Sequence, residues 1–283
     1  AYNNGNGTTP AALTTQDYAA AGITGVNADN VASINVKVLA AATGGADTVG
    51  EIQALANGVN NALVQIENYN NGNGVTPVAL TLADYAAAGI TGVSNSNLAA
   101  VNAQVLAASA GGADTVGEVT ALVIAANAAL AKIEAYNNGN GTTPTALTTQ
   151  DYAAAGITGV NADNVAAVNA RVLAAVTGGA DTVGEVQALA DAVNLAIAKV
   201  EAYNNGNGLV PVALTLQDYA DAGVSGVSNN NLAAVNAKVL AAAVGGADTV
   251  GEIQNLVTAA NTALAKIEAY NNGNGTLPVA LTA

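Results

Sequence analysis

The hexapeptide YNNGNG begins at Tyr2 and returns at Tyr69, Tyr136, Tyr203 and Tyr270, each copy 67 residues after the last. No insertion or deletion interrupts that spacing. Whatever this chain folds into must therefore use the same elements in the same order several times, with each copy meeting its own likeness on either side. The frame sets repeats at 2–68, 69–135, 136–202 and 203–269, with 270–283 opening a fifth. Ala1 holds the register of Ala135, Ala202 and Ala269, so the chain reads as an excerpt from a longer array.

Three helix starts recur in each repeat, each a capping residue followed three positions on by a side chain able to bond back. Thr14 with Asp17 opens a short helix that Gly22 ends, matched at Thr81/Asp84, Thr148/Asp151 and Thr215/Asp218. A second helix is expected from Asn27 for about 15 residues, until Gly44 and Gly45 stop it. Thr48 with Glu51 opens the third and longest, at roughly 20 residues or about 30 Å. Its apolar positions Val49, Ile52, Leu55, Val59, Leu63, Ile66 and Tyr69 step by threes and fours along one face. The pattern predicts an all-α protein, a tandem array of four 67-residue three-helix units arranged as bundles in series or as a solenoid. Such small, alanine-rich units are marginal alone and gain burial from their neighbours.

Two asparagines recur inside the helices, where asparagine is a poor helix former. They are Asn35, Asn102, Asn169 and Asn236 in the second helix, and Asn60, Asn127, Asn194 and Asn261 in the third. They read either as solvated or cap-adjacent polar positions or as inter-helix amide pairs that fix register in a core of uniform alanine. In the recurrent hexapeptide, tyrosine reads as the last apolar rung of the long helix. The asparagines and glycine after it tolerate the left-handed conformation that ends a helix. A structural joint is thus expected at Tyr69, Gly72 and Pro77, at Tyr136, Gly139 and Pro144, and at Tyr203, Gly206 and Pro211. A slower alternation, in which repeats 1 and 3 share TTQDYAAAGITGVNADNV, points to duplication of a two-repeat block.

The chain has no Cys, His, Met, Trp or Phe, which excludes disulfides, thiolate or imidazole metal sites and histidine-based catalysis. A net charge of −14, from 20 acidic and 6 basic residues, repels nucleic acid. The most apolar run, ALVIAANAALA, is interrupted by Asn127, and no segment is read as inserting in a membrane. The glycines of NGNG come after a helix, so they do not form a dinucleotide-binding turn. No cofactor is expected and the chain is not read as an enzyme. Most carboxylates fall at helix N-termini, where they cap. The rival use is calcium at the repeat junctions, for which Asp47, Glu51, Glu67, Asp114, Glu118 and Glu134 are the candidate ligands, although no EF-hand or Ca²⁺-nonapeptide signature is complete.

The segments DYAAAGITGV, GGADTVGEI and ALAKIEAYNNGNG resemble the near-identical tandem repeats in the central regions of giant bacterial surface proteins, the biofilm-associated and type I-secreted adhesins. That resemblance implies an extracellular stalk or fibre at the bacterial cell surface, with no catalytic residues to carry over. Many such stalks are built from β-sandwiches, whereas this sequence reads helical. The expected function is reach and spacing, with neighbouring repeats as the partners. Laid end to end, four helices of about 30 Å would span on the order of 120 to 160 Å. The alternatives are a self-assembling filament of copies of the chain, a three-helix protein-binding module, and a calcium-stiffened variant of the stalk.

Overall fold

The computed structural model describes residues 11–72, 77–139, 144–206 and 212–272. Among these residues the protein is all-helical. Twelve helices succeed one another in a fixed rhythm of short, medium and long: α1 (Thr15–Ala20), α2 (Val31–Ala40), α3 (Val49–Asn71), α4 (Leu82–Ala87), α5 (Leu98–Ala107), α6 (Val116–Asn138), α7 (Thr149–Ala154), α8 (Val165–Ala174), α9 (Val183–Asn205), α10 (Leu216–Asp221), α11 (Leu232–Ala241) and α12 (Val250–Asn272). The chain divides into two compact units, one of residues 1–132 with 153–156 and one of 133–152 with 157–283.

The short and long helices begin where the capping pairs place them. Thr48 Oγ1 accepts from the Glu51 amide while the Glu51 carboxylate accepts from the Thr48 amide, and Thr14 and Asp17 form the same box. Each such cap is worth about 1 kcal/mol. The second helix departs from expectation. It starts at Val31 and runs for only ten residues, because Asn27 and Asn30 close a turn on each other instead of opening a helix. The Asn27 amide donates to Asn30 Oδ1, and the Asn30 amide donates to Asn27 Oδ1.

In the first unit α3 packs against α2 before it in the chain and against α4 and α5 after it. The second unit has the same arrangement, with α9 against α8, α10 and α11. One continuous core there joins Ala196, Val200 and Tyr203 of α9 to Tyr219 of α10, Val235 and Val239 of α11, and Ile253, Val257 and Ala260 of α12. A boundary at residue 203 therefore runs through a core. The C-terminal halves of α3 and α9 belong, by packing, to the sequence repeats after them.

A tyrosine of the short helix lies at the centre of each core. Tyr85, Tyr152 and Tyr219 are fully buried, and each hydroxyl donates to the amide oxygen of an asparagine on the medium helix, over 2.7 Å to Asn102, Asn169 and Asn236. That asparagine's Nδ2 donates in turn to a carbonyl just ahead of the short helix, at Leu80, Leu147 and Leu214. Tyr18, Asn35 and Leu13 form the same chain. Every polar atom taken out of water here has a partner, as a buried network requires.

Removing the hydroxyl in Tyr152→Phe strands a buried amide oxygen, and chemical denaturation should record a loss of about 1 to 3 kcal/mol. Burial, together with the neighbouring Tyr69, Tyr136 and Tyr203 and the adjacent aspartates, pushes the phenols of Tyr85, Tyr152 and Tyr219 well above the usual tyrosine range. A raised folded-state value means that the stability is whole below the unfolded value of about 10 and falls as pH rises beyond it. Most of the phenolate absorbance should thus appear together with loss of helical circular dichroism. Full ionisation with the helices intact would show these tyrosines to be accessible.

Candidate functional site: the repeat junction

The recurrent YNNG makes more contacts than a hinge needs. Each long helix ends on a glycine in the left-handed conformation, with φ of +58° at Gly72, +52° at Gly139 and +59° at Gly206. The three residues before that glycine are fastened to the next repeat. Tyr69, Tyr136 and Tyr203 are buried, the first near Tyr85. Asn70 is also buried, and its Nδ2 donates to the carbonyls of Val105 (2.8 Å) and Ala108 (3.0 Å). These are the free C-terminal carbonyls of α5, so the amide caps a helix that belongs to the next repeat. Asn137 does the same to Val172 and Ala175, and Asn204 to Val239 and Ala242. The second asparagine, as Asn71, accepts from the Gly111 amide in the glycine pair after α5, and Asn205 accepts from Gly245. Pro77 and Pro144 lie half-buried in irregular chain ahead of the next short helix, while Pro211 lies outside the described residues.

A second tie comes from the medium helix. Lys37 Nζ donates to the Ala86 carbonyl (2.6 Å), and Gln104 Nε2 to that of Ala154 (2.7 Å). Arg171 reaches the Asp221 carbonyl and pairs with its carboxylate. In every case a donor meets the carbonyl end of the next short helix, where positive charge complements the dipole. The Arg171–Asp221 pair is about one-third exposed and adds at most about 1 kcal/mol. A third tie joins Gln65 to Asp84 (2.9 Å) and Lys199 to Asp218. Burial opposes the Asp218 charge, but Lys199 and Thr215 outweigh it and hold its carboxyl below the usual range.

Close approach at the junction requires glycine. Gly89, Gly156 and Gly223 come directly after their short helices at φ of +75°, +74° and +78°. A Cβ at Gly156 would lie 2.8 Å from Ala100 Cα, one at Gly89 2.6 Å from the Ser33 side chain, and one at Gly223 would collide with Ala167. Gly22, the copy in the first repeat, has nothing within 4 Å.

The asparagines read as possible pairs do not pair with one another. Asn35, Asn102, Asn169 and Asn236 serve the buried tyrosines. Asn60, Asn127, Asn194 and Asn261 instead accept from Asn30 (2.7 Å), Asn97 (2.5 Å), Asn164 (2.6 Å) and Asn231 (2.5 Å), at the starts of the medium helices. The Nδ2 of Asn60 and of Asn30 both donate to the Gly25 carbonyl. Asn30 is the residue that sequence reasoning passed over, while Asn70, expected with Asn71 to tolerate the left-handed conformation, is helical and bonds to the next repeat, and only the glycine is left-handed. Asn30 recurs at the 67-residue period, which is the signal that could have found it.

The calcium candidates are engaged elsewhere or stand apart. Glu51 and Glu118 cap α3 and α6, and the hydrogen bond to Thr48 lowers the Glu51 pKa. Asp114 is raised and Glu118 lowered by the hydrogen bond between them. The Asp47 amide donates to Glu51, and Glu67 and Asp114 line a shallow cleft with Asn27, Asp29 and Asn60. Glu134 lies on α6. Among the described residues no three carboxylates converge as a metal centre. The expectation of no membrane-length segment needs correcting: α6 is long and apolar enough to cross a membrane, by length and composition. It occupies the frame position of α3, α9 and α12 and buries Val119, Val123 and Ala126 within the protein. No protein-family model, curated protein or solved structure matches the chain.

Alanine at Gly223 or at Gly22 incurs the same left-handed backbone cost, about 1 to 2 kcal/mol, but only Gly223→Ala also meets a neighbour. It should be the more destabilising by at least about 1 kcal/mol in denaturant melts. Equal losses would mean that the close approach contributes nothing.

Proposed function

We propose that the chain is a structural spacer, a tandem array of four three-helix units that holds flanking regions apart in an extracellular adhesin or fibre of a bacterial surface. The observation that carries this reading is where the recurrent polar groups go. Tyr85, Asn97, Asn102, Asn127, Asn70 and Asp84 and their copies each bond within the chain, to a cap, a core partner or the next repeat. A binding or catalytic surface repeated along the array would instead turn some of these side chains outward, at one place in every copy. The reading also accords with the acidic composition, which keeps identical neighbours from sticking side by side.

Small-angle scattering extrapolated to infinite dilution tests it. A compact globule of this length has a radius of gyration of about 19 Å, and a spacer should lie well above that. A value near the compact figure would overturn the proposal. Chelator should leave both the profile and the melting temperature unchanged, and a drop in either would restore the calcium-stiffened alternative.

A further inference from the structure

Exposed apolar side chains are distributed differently on the long and the medium helices. On the long helix they do not recur. Ile124 is exposed, but its copies are Asn57, Asp191 and Thr258, and exposed Leu195 has Asn61, Ala128 and Thr262 in its place elsewhere. Residues scattered singly in this way need no explanation. On the medium helix Leu39, Leu106, Leu173 and Leu240 are 40%, 45%, 44% and 46% exposed, the same residue at the same place in every copy. α5 and α8, each with a repeat on either side in the sequence, show it as α2 and α11 do.

Leu39 stands with Ala32, Val36 and Ala40 on one exposed stripe, spaced i, i+4, i+7 and i+8. The corresponding positions of α5, α8 and α11 hold only alanine and leucine. The opposite face, with Ile34 and Val38, is buried in the core, so the helix is apolar on both sides. A helix that is apolar all round is normally covered all round. Exposed positions of the long helix change between apolar and polar from copy to copy, yet no polar residue enters this stripe in any copy.

Charge indicates what covers it. Each medium helix is followed by an exposed aspartate, Asp47, Asp114, Asp181 or Asp248. A Cβ on Gly44 would lie 3.5 Å from Asp47 Oδ2, and one on Gly178 3.3 Å from Asp181 Oδ2, so these carboxylates stand over the glycine turn at the carbonyl end of the helix. The helix dipole adds to their negative charge. The cations Lys37 and Arg171 of the medium helices are engaged by the next short helix. A second copy would bring the same carboxylates and a −14 charge of its own, which opposes the meeting of like faces.

From this we propose that the outer stripe of each medium helix, with the aspartate after it, is a docking surface for a basic amphipathic helix of another protein. Apolar side chains of the partner cover Leu39 and its copies, and its lysines or arginines meet Asp47 and its copies. A ten-residue stripe is about 15 Å long and suits a helix laid alongside with anchors at i, i+3 or i+4, and i+7. Four side chains of this size fall far short of the roughly 800 Å² that each partner brings to a stable interface. A single site is therefore weak, and the chain binds well only where several copies of the partner are displayed together. The spacer reading concerns how far the chain extends and this inference what its flank carries, so either can fail without the other.

The test passes the full chain over an immobilised synthetic helix of leucine and lysine, with its leucines along one face, and reads binding by surface plasmon resonance. The parent should be retained. The combined variant Leu39→Gln, Leu106→Gln, Leu173→Gln and Leu240→Gln keeps the −14 charge and should bind at least about tenfold more weakly, with unchanged helical dichroism. A shuffled peptide of the same composition, which cannot gather its leucines on one face, should hold the parent no better than the first peptide holds the variant. A parent that is not retained would overturn the proposal. So would a variant or a shuffled peptide that binds as strongly, since charge alone would then account for the contact. Two further results would give the stripe to a different occupant and overturn it as well. One is a parent that sediments above its 27.3 kDa while the variant does not, which assigns the stripe to a second copy. The other is retention on phosphatidylcholine vesicles that the variant loses, which assigns it to lipid.

Discussion

Everything in this fold depends on one long helix serving two cores. In α3 and its counterparts about twenty-three residues run without a break. In α3 and α9 the helix packs with the medium helix before it, and its second half is buried against the short and medium helices of the next repeat. Within the first unit α3 is stiff over this length, so the two cores it serves there cannot move independently without bending it or exposing Ile66 and Tyr69. Full burial of one such side chain is worth about 1.5 to 3 kcal/mol. The apolar stripe supplies most of that energy. The asparagines supply direction, because Asn70 can satisfy the α5 carbonyls in only one register.

That division of labour suits a core made largely of alanine and valine. Small side chains let helices approach closely but distinguish poorly between one register and the next. The distinguishing is done by amides and phenols: Tyr85 with Asn102, Asn97 with Asn127, and Asn70 with the end of α5. Glycine marks the places of closest approach. Gly89, Gly156 and Gly223 sit against the preceding repeat, while Gly22 answers only to its turn.

Much of this was legible beforehand. The capping pairs mark the starts of the short and long helices, the three-four spacing gives the buried face of the long helix from Val59 to Tyr69 although Val49 at its start is exposed, and the tyrosine before NNG is its buried last rung. The phase of the cores was not legible. A strict 67-residue period looks the same from any starting point, so sequence alone cannot say whether the end of a long helix packs backward or forward. For the same reason Asn35 and Asn60 were open to being read as partners, when one faces the tyrosine of the short helix and the other faces Asn30. The medium helix is shorter than its sequence pattern implies because Asn27 and Asn30 offer each other the bonds that a helix start would otherwise use. The recurrent YNNG, read as a joint, is the place where one repeat closes the core of the next.

If the shared helix is the basis of stability, a repeat has no complete core without its neighbour, and stability must grow with the number of repeats. The most direct measurement is thermal and denaturant unfolding of chains cut in the same frame to one, two, three and four repeats. The account predicts a single repeat that is at most marginally folded, with a melting temperature and transition steepness that climb as repeats are added and then level off. Four chains that melt at one temperature, with a single repeat already fully stable, would show independent bundles joined by linkers and would contradict it.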